Sequence, residues 1–368
     1  MARRDLWETP SMEPVDKGVD RRDFTKVCLM AAAALGLSNS AGLKMAEAAE
    51  QGLKPSVIWL HFQECTGCTE SLLRTSAPGL AELILDLISL DYHETLFAAA
   101  GHQIEEVLHQ TMEANAGKFI LVVEGAIPTK DGGIYCQIAG RTAMDILQDV
   151  ASKAGAIVSL GSCASWGGIP SAAPNPTGAV GAPKILPDKT IVTIPGCPAN
   201  PYNFLGTVLQ YATFGTLPEL DDKGRPMFAY GRTIHEHCPR RAHFDAGRFA
   251  RVYGDEGHRL GYCLFALGCK GPETHANCSV MHFNETPGCW PIGIGHPCFG
   301  CTEEGVGFTK FVHEAATLPD GAHPPIEPEH GPTNAGWYGV AGLAAGAVIG
   351  AGMMASKKIA DAGEEESS

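Results

Sequence analysis

Four short apolar runs, at 57–60, 119–123, 156–160 and 191–194, recur along the first 200 residues, and three of them lead directly into cysteine. Stretches with helical periodicity lie between and after them: 72–90 (broken near Pro78), 102–115, 139–154 and 204–211. Strands alternating with helices predict a parallel α/β sheet. Runs that are nearly continuously apolar, rather than apolar on alternate residues, predict strands covered on both faces. After the first run comes Glu64-Cys65-Thr66-Gly67-Cys68, after the third Gly161-Ser162-Cys163, and after the fourth Pro195-Gly196-Cys197-Pro198. Sites in open α/β sheets form beyond the carboxyl ends of the strands. Cys65, Cys68, Cys163 and Cys197 are therefore predicted to converge. The glycines beside them let backbone approach a bulky inorganic group. Four thiolates suit a structural zinc ion or a 4Fe–4S cluster. One close pair plus two cysteines on separate strands looks more like the cluster.

The chain holds 13 cysteines in 368 residues. A disulfide framework is the plain alternative, but frameworks of that kind belong to small domains. Here the cysteines sit in C-x-x-C pairs and beside histidine, which is the pattern of metal ligation. Past about residue 225 the periodicity fades, and Gly, Pro, His and Cys become dense. Such a segment buries little apolar surface of its own, and bound metal would supply the missing staples. Two ligand sets can be drawn there. One is His235-Glu236-His237-Cys238 with Cys263 and Cys269; the other is Cys278 with Cys298 and Cys301, inside the run from Gly295 to Cys301. Spacing does not settle that partition. Cys28, Cys136 and Cys289 are left over.

The formal net charge is −14, and no basic patch with interleaved aromatics is present. That excludes a nucleic-acid backbone as partner. Both ends read as targeting segments. Arg21-Arg22-Asp23-Phe24-Thr25-Lys26 precedes an apolar run at 27–37 and small residues around Ala46-Glu47-Ala48. This is the layout of a twin-arginine signal peptide over 1–48, cleaved between Ala46 and Ala49. At the other end, 335–355 carries no charge, and Gly342, Gly346 and Gly350 repeat at four-residue spacing. That length spans a bilayer, and the small-residue face suits close helix packing. Lys357 and Lys358 place the tail in the cytoplasm. The expected organisation is a signal over 1–48, a sheet domain over 55–225 and a ligand-rich domain over 226–320. A linker at 321–334, a transmembrane anchor at 335–356 and a cytoplasmic tail at 357–368 complete it.

These motifs carry a specific likeness. The chain resembles the small subunits of nickel–iron hydrogenases, of the membrane-anchored hydrogenase-2 type, over essentially its full length. The likeness rests on Glu64-Cys65-Thr66-Gly67-Cys68-Thr69-Glu70-Ser71, Ile194-Pro195-Gly196-Cys197-Pro198, His235-Glu236-His237-Cys238, Leu267-Gly268-Cys269-Lys270-Gly271-Pro272-Glu273-Thr274 and the run from Gly295 to Cys301. It implies a flavodoxin-like domain followed by an irregular iron–sulfur domain. It implies a proximal 4Fe–4S cluster on Cys65, Cys68, Cys163 and Cys197. A distal 4Fe–4S cluster would sit on His235, Cys238, Cys263 and Cys269, and a medial 3Fe–4S cluster on Cys278, Cys298 and Cys301. The nickel–iron centre would belong to the large subunit, so this chain would relay electrons rather than split hydrogen. Further partners would be ferredoxin-like and integral-membrane quinone-reactive subunits, with the globular part on the periplasmic side of the inner membrane.

Three further expectations follow. The family's missing fourth medial ligand falls at Pro291, which leaves Cys289 a free thiol; the alternative is a fourth ligand. Oxygen-tolerant relatives carry two extra cysteines, and the matching positions here are Gly67 and Gly168, which predicts an ordinary proximal cluster and oxygen sensitivity. Glu64 and Glu70 flank the proximal ligands, either as hydrogen-bond acceptors at a helix start or, for Glu64, at the large-subunit interface near the proton path. Two other classes compete. The first half also resembles the cluster-bearing subunit beside the quinone site of complex I, which lacks the His235 region. An exported zinc or disulfide protein would be colourless.

Overall fold

In the computed structural model, residues 38–50, 54–76 and 88–318 are described, together with Thr25, Lys26, Cys28, Leu29 and Ala32. All belong to one compact unit that runs to His323. Its centre is a five-stranded parallel sheet of β1 (Ser56–His61), β2 (Ser89–His93), β3 (Ile120–Glu124), β4 (Ala156–Leu160) and β5 (Ile191–Ile194), in spatial order 2-1-3-4-5. This is the flavodoxin-like order, whose crossover point lies between β1 and β3. Val57 pairs with Ile120, Val122 with Val158, and Val158 with Val192, so each interior strand meets β-branched neighbours.

Both faces of the sheet are covered. Ile58, Leu60, Leu121 and Val123 pack on one side against Ile104, Leu108 and Met112 of the helix His102–Ala114 and Ile146, Leu147 and Val150 of Ala143–Lys153. Trp59, Val122, Val158 and Ile194 pack on the other side against Phe204 and Val208 of Pro201–Phe214. That second core continues without a break into Tyr230, Ile234, Leu264, Trp290 and Ile292. The ligand-rich segment is thus laid on the sheet. Its own helices are only four or five residues long, at Met227–Tyr230, Arg241–Asp245 and Glu256–Arg259.

Three sequence expectations are corrected. Of the helix expected over 72–90, Leu72 and Leu73 end a helix that starts at Gly67, and Ser89 and Leu90 belong to the strand Ser89–His93; residues 77–87 lie outside the described set. The strand was missed because it is an edge with polar Ser89, Asp91 and His93, so no apolar run marks it. The helix expected from residue 139 starts at Ala143, because Ala139 and Gly140 take positive φ (51° and 78°) in a small hairpin. Thr142 caps it, its hydroxyl accepting from the Asp145 N–H at 3.2 Å. The helix expected over 204–211 begins at Pro201, where the Asn200 side chain accepts from the Tyr202 N–H.

Part of the expected leader is described. The helix Asn39–Glu50 packs against Pro201–Phe214, with Cys28, Ala32 and Ala46 buried. No described helix is long and apolar enough to cross a membrane, and the span expected at 335–356 lies outside the described residues.

Candidate metal centres

Three strand ends build the first site. β1 leads through Thr66, at φ 61°, into α1 (Gly67–Leu73), which carries Cys68 on its first turn and Cys65 just before it. β4 turns at Gly161 into Gly161–Trp166, which carries Cys163. β5 ends in the Pro195–Cys197 turn. Gly161 sits at φ 86°, and a Cβ there would lie 2.5 Å from the Cys68 sulfur. Gly168 would meet the Cys163 sulfur at 2.7 Å and Gly67 the Cys65 sulfur at 3.1 Å. The sulfurs therefore occupy the space that side chains would fill. Burial pushes the Cys163 thiol up to about 12, and Cys197 and Cys65 add to it. Cys68 is raised by burial, then by Glu124, Cys163 and Cys197. Four sulfurs brought together at three strand ends, Cys65 exposed and Cys68, Cys163 and Cys197 half-buried, with none in a disulfide, fit a bound cation or cluster that accepts thiolates.

The other two sets line separate small cavities. One is lined by His235, Cys238, Cys263 and Cys269 together with Phe265 and Ile292. The other is lined by Cys278, Cys298 and Cys301 with Trp290, Pro291 and Phe299. The partition that spacing left open is thus made by the fold. His235 Nε2 is buried without a hydrogen-bond partner. Burial, then Arg241, lowers its pKa to about 4, so the ring is a neutral nitrogen donor. An orphaned imidazole nitrogen beside the sulfurs of Cys238, Cys263 and Cys269 is a donor set that fits a metal. Pro291, not Cys289, lines the second cavity. Cys289 instead holds a turn, its N–H donating to the Thr286 carbonyl and its carbonyl accepting from Phe283. Cys136 packs against the outer core beside its hairpin.

The three sites are coupled through backbone. The Ser162 hydroxyl donates to the Cys301 carbonyl at 2.6 Å and accepts from the Gly196 N–H at 3.0 Å, tying both first-site turns to the Cys301 loop. The Lys270 N–H donates to the Cys298 carbonyl at 2.7 Å, tying Cys269 to the same loop. The order is first site, Cys278–Cys298–Cys301 site, His235 site.

A family model for the C-terminal part of NiFe/NiFeSe hydrogenase small subunits matches residues 230–313. A second, for the 20 kDa subunit of NADH ubiquinone oxidoreductase, matches 65–211. The hydrogenase-2 small chain of Escherichia coli K12 is 52% identical over 347 residues, covering 93% of each chain. The chain belongs to the nickel–iron hydrogenase small subunits. The periplasmic NiFe hydrogenase small subunit 1 of Nitratidesulfovibrio vulgaris is 48% identical, covering 78% of this chain and 90% of that one. A reduced, active NiFeSe hydrogenase from Desulfomicrobium baculatum matches with a TM-score of 0.65 at 36% identity, covering 71% of this chain and 99% of that one. Small subunits of this family carry iron–sulfur clusters and transfer electrons. The match over the His235 region separates this small subunit from the complex I relative.

One residue that sequence reasoning missed governs the first site. Glu124, at the end of β3, caps α1: its Oε1 accepts from the Cys68 and Thr69 N–H groups at 3.1 and 3.2 Å, and its Oε2 from the Thr69 hydroxyl and the Trp59 indole. Glu64, expected at that helix start, accepts instead from the Thr66 hydroxyl and sits 3.3 Å from His61 Nδ1. Glu70 is exposed beside Arg74. The signal for Glu124 was a lone carboxylate closing an apolar run, which points into the core by strand alternation.

Proposed function

We propose that Cys65, Cys68, Cys163 and Cys197 hold a proximal 4Fe–4S cluster, Cys278, Cys298 and Cys301 a medial 3Fe–4S cluster, and His235, Cys238, Cys263 and Cys269 a distal 4Fe–4S cluster. The observation that carries this reading is the row of three sulfur-lined sites joined by Ser162–Cys301 and Lys270–Cys298. Bound clusters would supply one-electron stations between a nickel–iron site on the large subunit and membrane acceptors. The chain's own residues do three things. Trp290, Phe299, Phe265 and Ile292 exclude water from the two later sites. Backbone N–H groups of Ile169, Phe265 and Gly271 aim at the sulfurs of Cys163, Cys263 and Cys269 and favour their anionic form. His235 brings no charge where a thiolate would bring one, which raises the potential of its site, as His-for-Cys exchange does in Rieske centres.

The chain is read as pairing with the large subunit, exported folded through its twin-arginine leader over 1–48. The sheet domain over 55–225 and the cluster domain over 226–320 would lie on the periplasmic side, tethered by 335–356 to the inner membrane. Ferredoxin-like and integral-membrane subunits would pass its electrons to quinone. A Wolinella succinogenes relative, 46% identical over 290 residues, bears the name quinone-reactive Ni/Fe-hydrogenase small chain. With Gly67 and Gly168 in place of extra cysteines, the proximal site is of the ordinary, oxygen-sensitive kind. The test is metal analysis and EPR of the oxidised, detergent-solubilised complex. The reading requires a 3Fe–4S signal and nickel on the partner; folded protein without colour or iron would end it.

A further inference from the structure

Among the described residues, Lys270 is the largest charged side chain with no solvent exposure, and it lies between two of the sites. Cys269 precedes it, and its N–H is held by the carbonyl of Cys298. Its Nζ donates to three carbonyls: Gly268 at 3.1 Å, Val312 at 3.0 Å and Glu314 at 3.0 Å. An ammonium has three donors and no acceptor, so three carbonyls match the charged form, whereas a neutral amine would leave one unserved. Among the described residues, no carboxylate pairs with it. Glu273 is taken by Lys310 at 2.7 Å, and Glu314 Oε2 accepts from the Phe311 N–H. Burying a cation without a countercharge is costly. Four anionic groups act on it: the carboxylates of Glu273 and Glu314, each already bonded elsewhere, and the thiolates of Cys269 on one side and Cys298 on the other.

We propose that Lys270 is a shared buried countercharge for the medial and distal sites, holding the reduction potentials of both above the values their ligands alone would set. The inference rests on the ligand assignment above. The physical reason is direct: adding an electron to either site brings negative charge toward a fixed ammonium, so reduction is favoured at both. The same three carbonyl contacts pin the 312–314 segment beside Cys269, because a Cβ on Gly268 would meet His313 at 2.6 Å. Lys270 is thus a positioning residue, one that acts on electrons through charge rather than by touching a reactant.

The test is an EPR-monitored redox titration of the complete complex carrying Lys270→Gln or Lys270→Arg, with iron counted in each. At a fixed potential, Lys270→Gln is expected to raise the oxidised-to-reduced ratio at the medial and distal sites by about tenfold, equivalent to about 59 mV for one electron. The proximal site, none of whose cysteines is among the charges acting on Lys270, is expected to stay put. Lys270→Arg is expected to keep the parental ratios. Unchanged medial and distal ratios in an iron-replete Lys270→Gln protein overturn the proposal, and so does an equal change at all three sites. Should Lys270→Gln lose iron, Lys270→Arg decides: parental ratios sustain the countercharge and a tenfold change refutes it. A parent complex with no 3Fe–4S signal would instead defeat the ligand assignment, which separates the two failures.

Discussion

Glu303 offers the sharpest test of how the ligand-rich segment is fastened to the sheet. It is 7% exposed and accepts from Lys223 Nζ, from Arg225 Nη1 at 2.8 Å, and from the N–H and Nδ1 of His275 at 3.1 and 3.0 Å. Arg225 reaches on to Asp221 at 2.7 Å and to the Thr302 carbonyl at 3.1 Å, and the 223–224 turn is bonded to Thr193 of β5. One carboxylate therefore ties the Cys301 loop to the sheet. Burial alone pushes its pKa up, but Lys223, Arg225 and His275 reverse that and hold it at about 2. Against an ordinary 4.5, this corresponds to about 3 kcal/mol at about 1.4 kcal/mol per pKa unit. Breaking a buried pair costs about 3–5 kcal/mol, in agreement. Because the folded pKa is depressed, the contribution is fully present above about 4.5 and is lost as pH falls through about 2. Glu303→Gln is then expected to lower the urea midpoint by about 1 M at pH 7, taking an m-value of about 3 kcal/mol/M. Far-UV circular dichroism of the complex reads it. The gap between parent and variant should hold from pH 7 to pH 5 and narrow below pH 4. A midpoint change under about 0.3 M at pH 7 would refute the fastening role.

Gly161→Ala places a methyl 2.5 Å from the Cys68 sulfur at a left-handed φ. The left-handed backbone alone costs about 1–2 kcal/mol, and the proximal cluster is expected to be lost; iron analysis should fall by roughly a third while the 3Fe–4S signal stays. Cys289→Ser should leave that signal and the iron content unchanged, since Cys289 does not line the medial cavity; conversion of the signal would make it a ligand. His93, buried and lowered to about 3 by burial and then His61, refuses a proton that the unfolded chain accepts below about 6.5. Stability should therefore fall between pH 6.5 and 5 by about 2 kcal/mol more in the parent than in His93→Gln, measured by urea midpoints at the two pH values.

Much of this molecule was legible along the chain. Each interior strand is buried on both faces, so most of its residues are apolar, and such runs are visible without a structure. The first-site cysteines were equally readable, since parallel strands deliver whatever follows their carboxyl ends to one edge. The edge strand Ser89–His93 was not, because half-exposed Ser89 and Asp91 and a buried His93 break its apolar run. Nor was the cap on α1, because Glu124 reaches it from a strand more than fifty residues away.

The sequence by itself determined which residues carry sulfur and imidazole, and which lie at strand ends, because covalent spacing and strand alternation are local properties. Only the tertiary structure decided how Cys263, Cys269, Cys278, Cys298 and Cys301 divide between two cavities, and that Ser162 and Lys270 bridge the sites. A segment with so little regular structure has no period from which direction can be read. Its side chains are aimed by packing on the sheet and by hydrogen bonds between residues distant in the chain, and those exist only once it has folded.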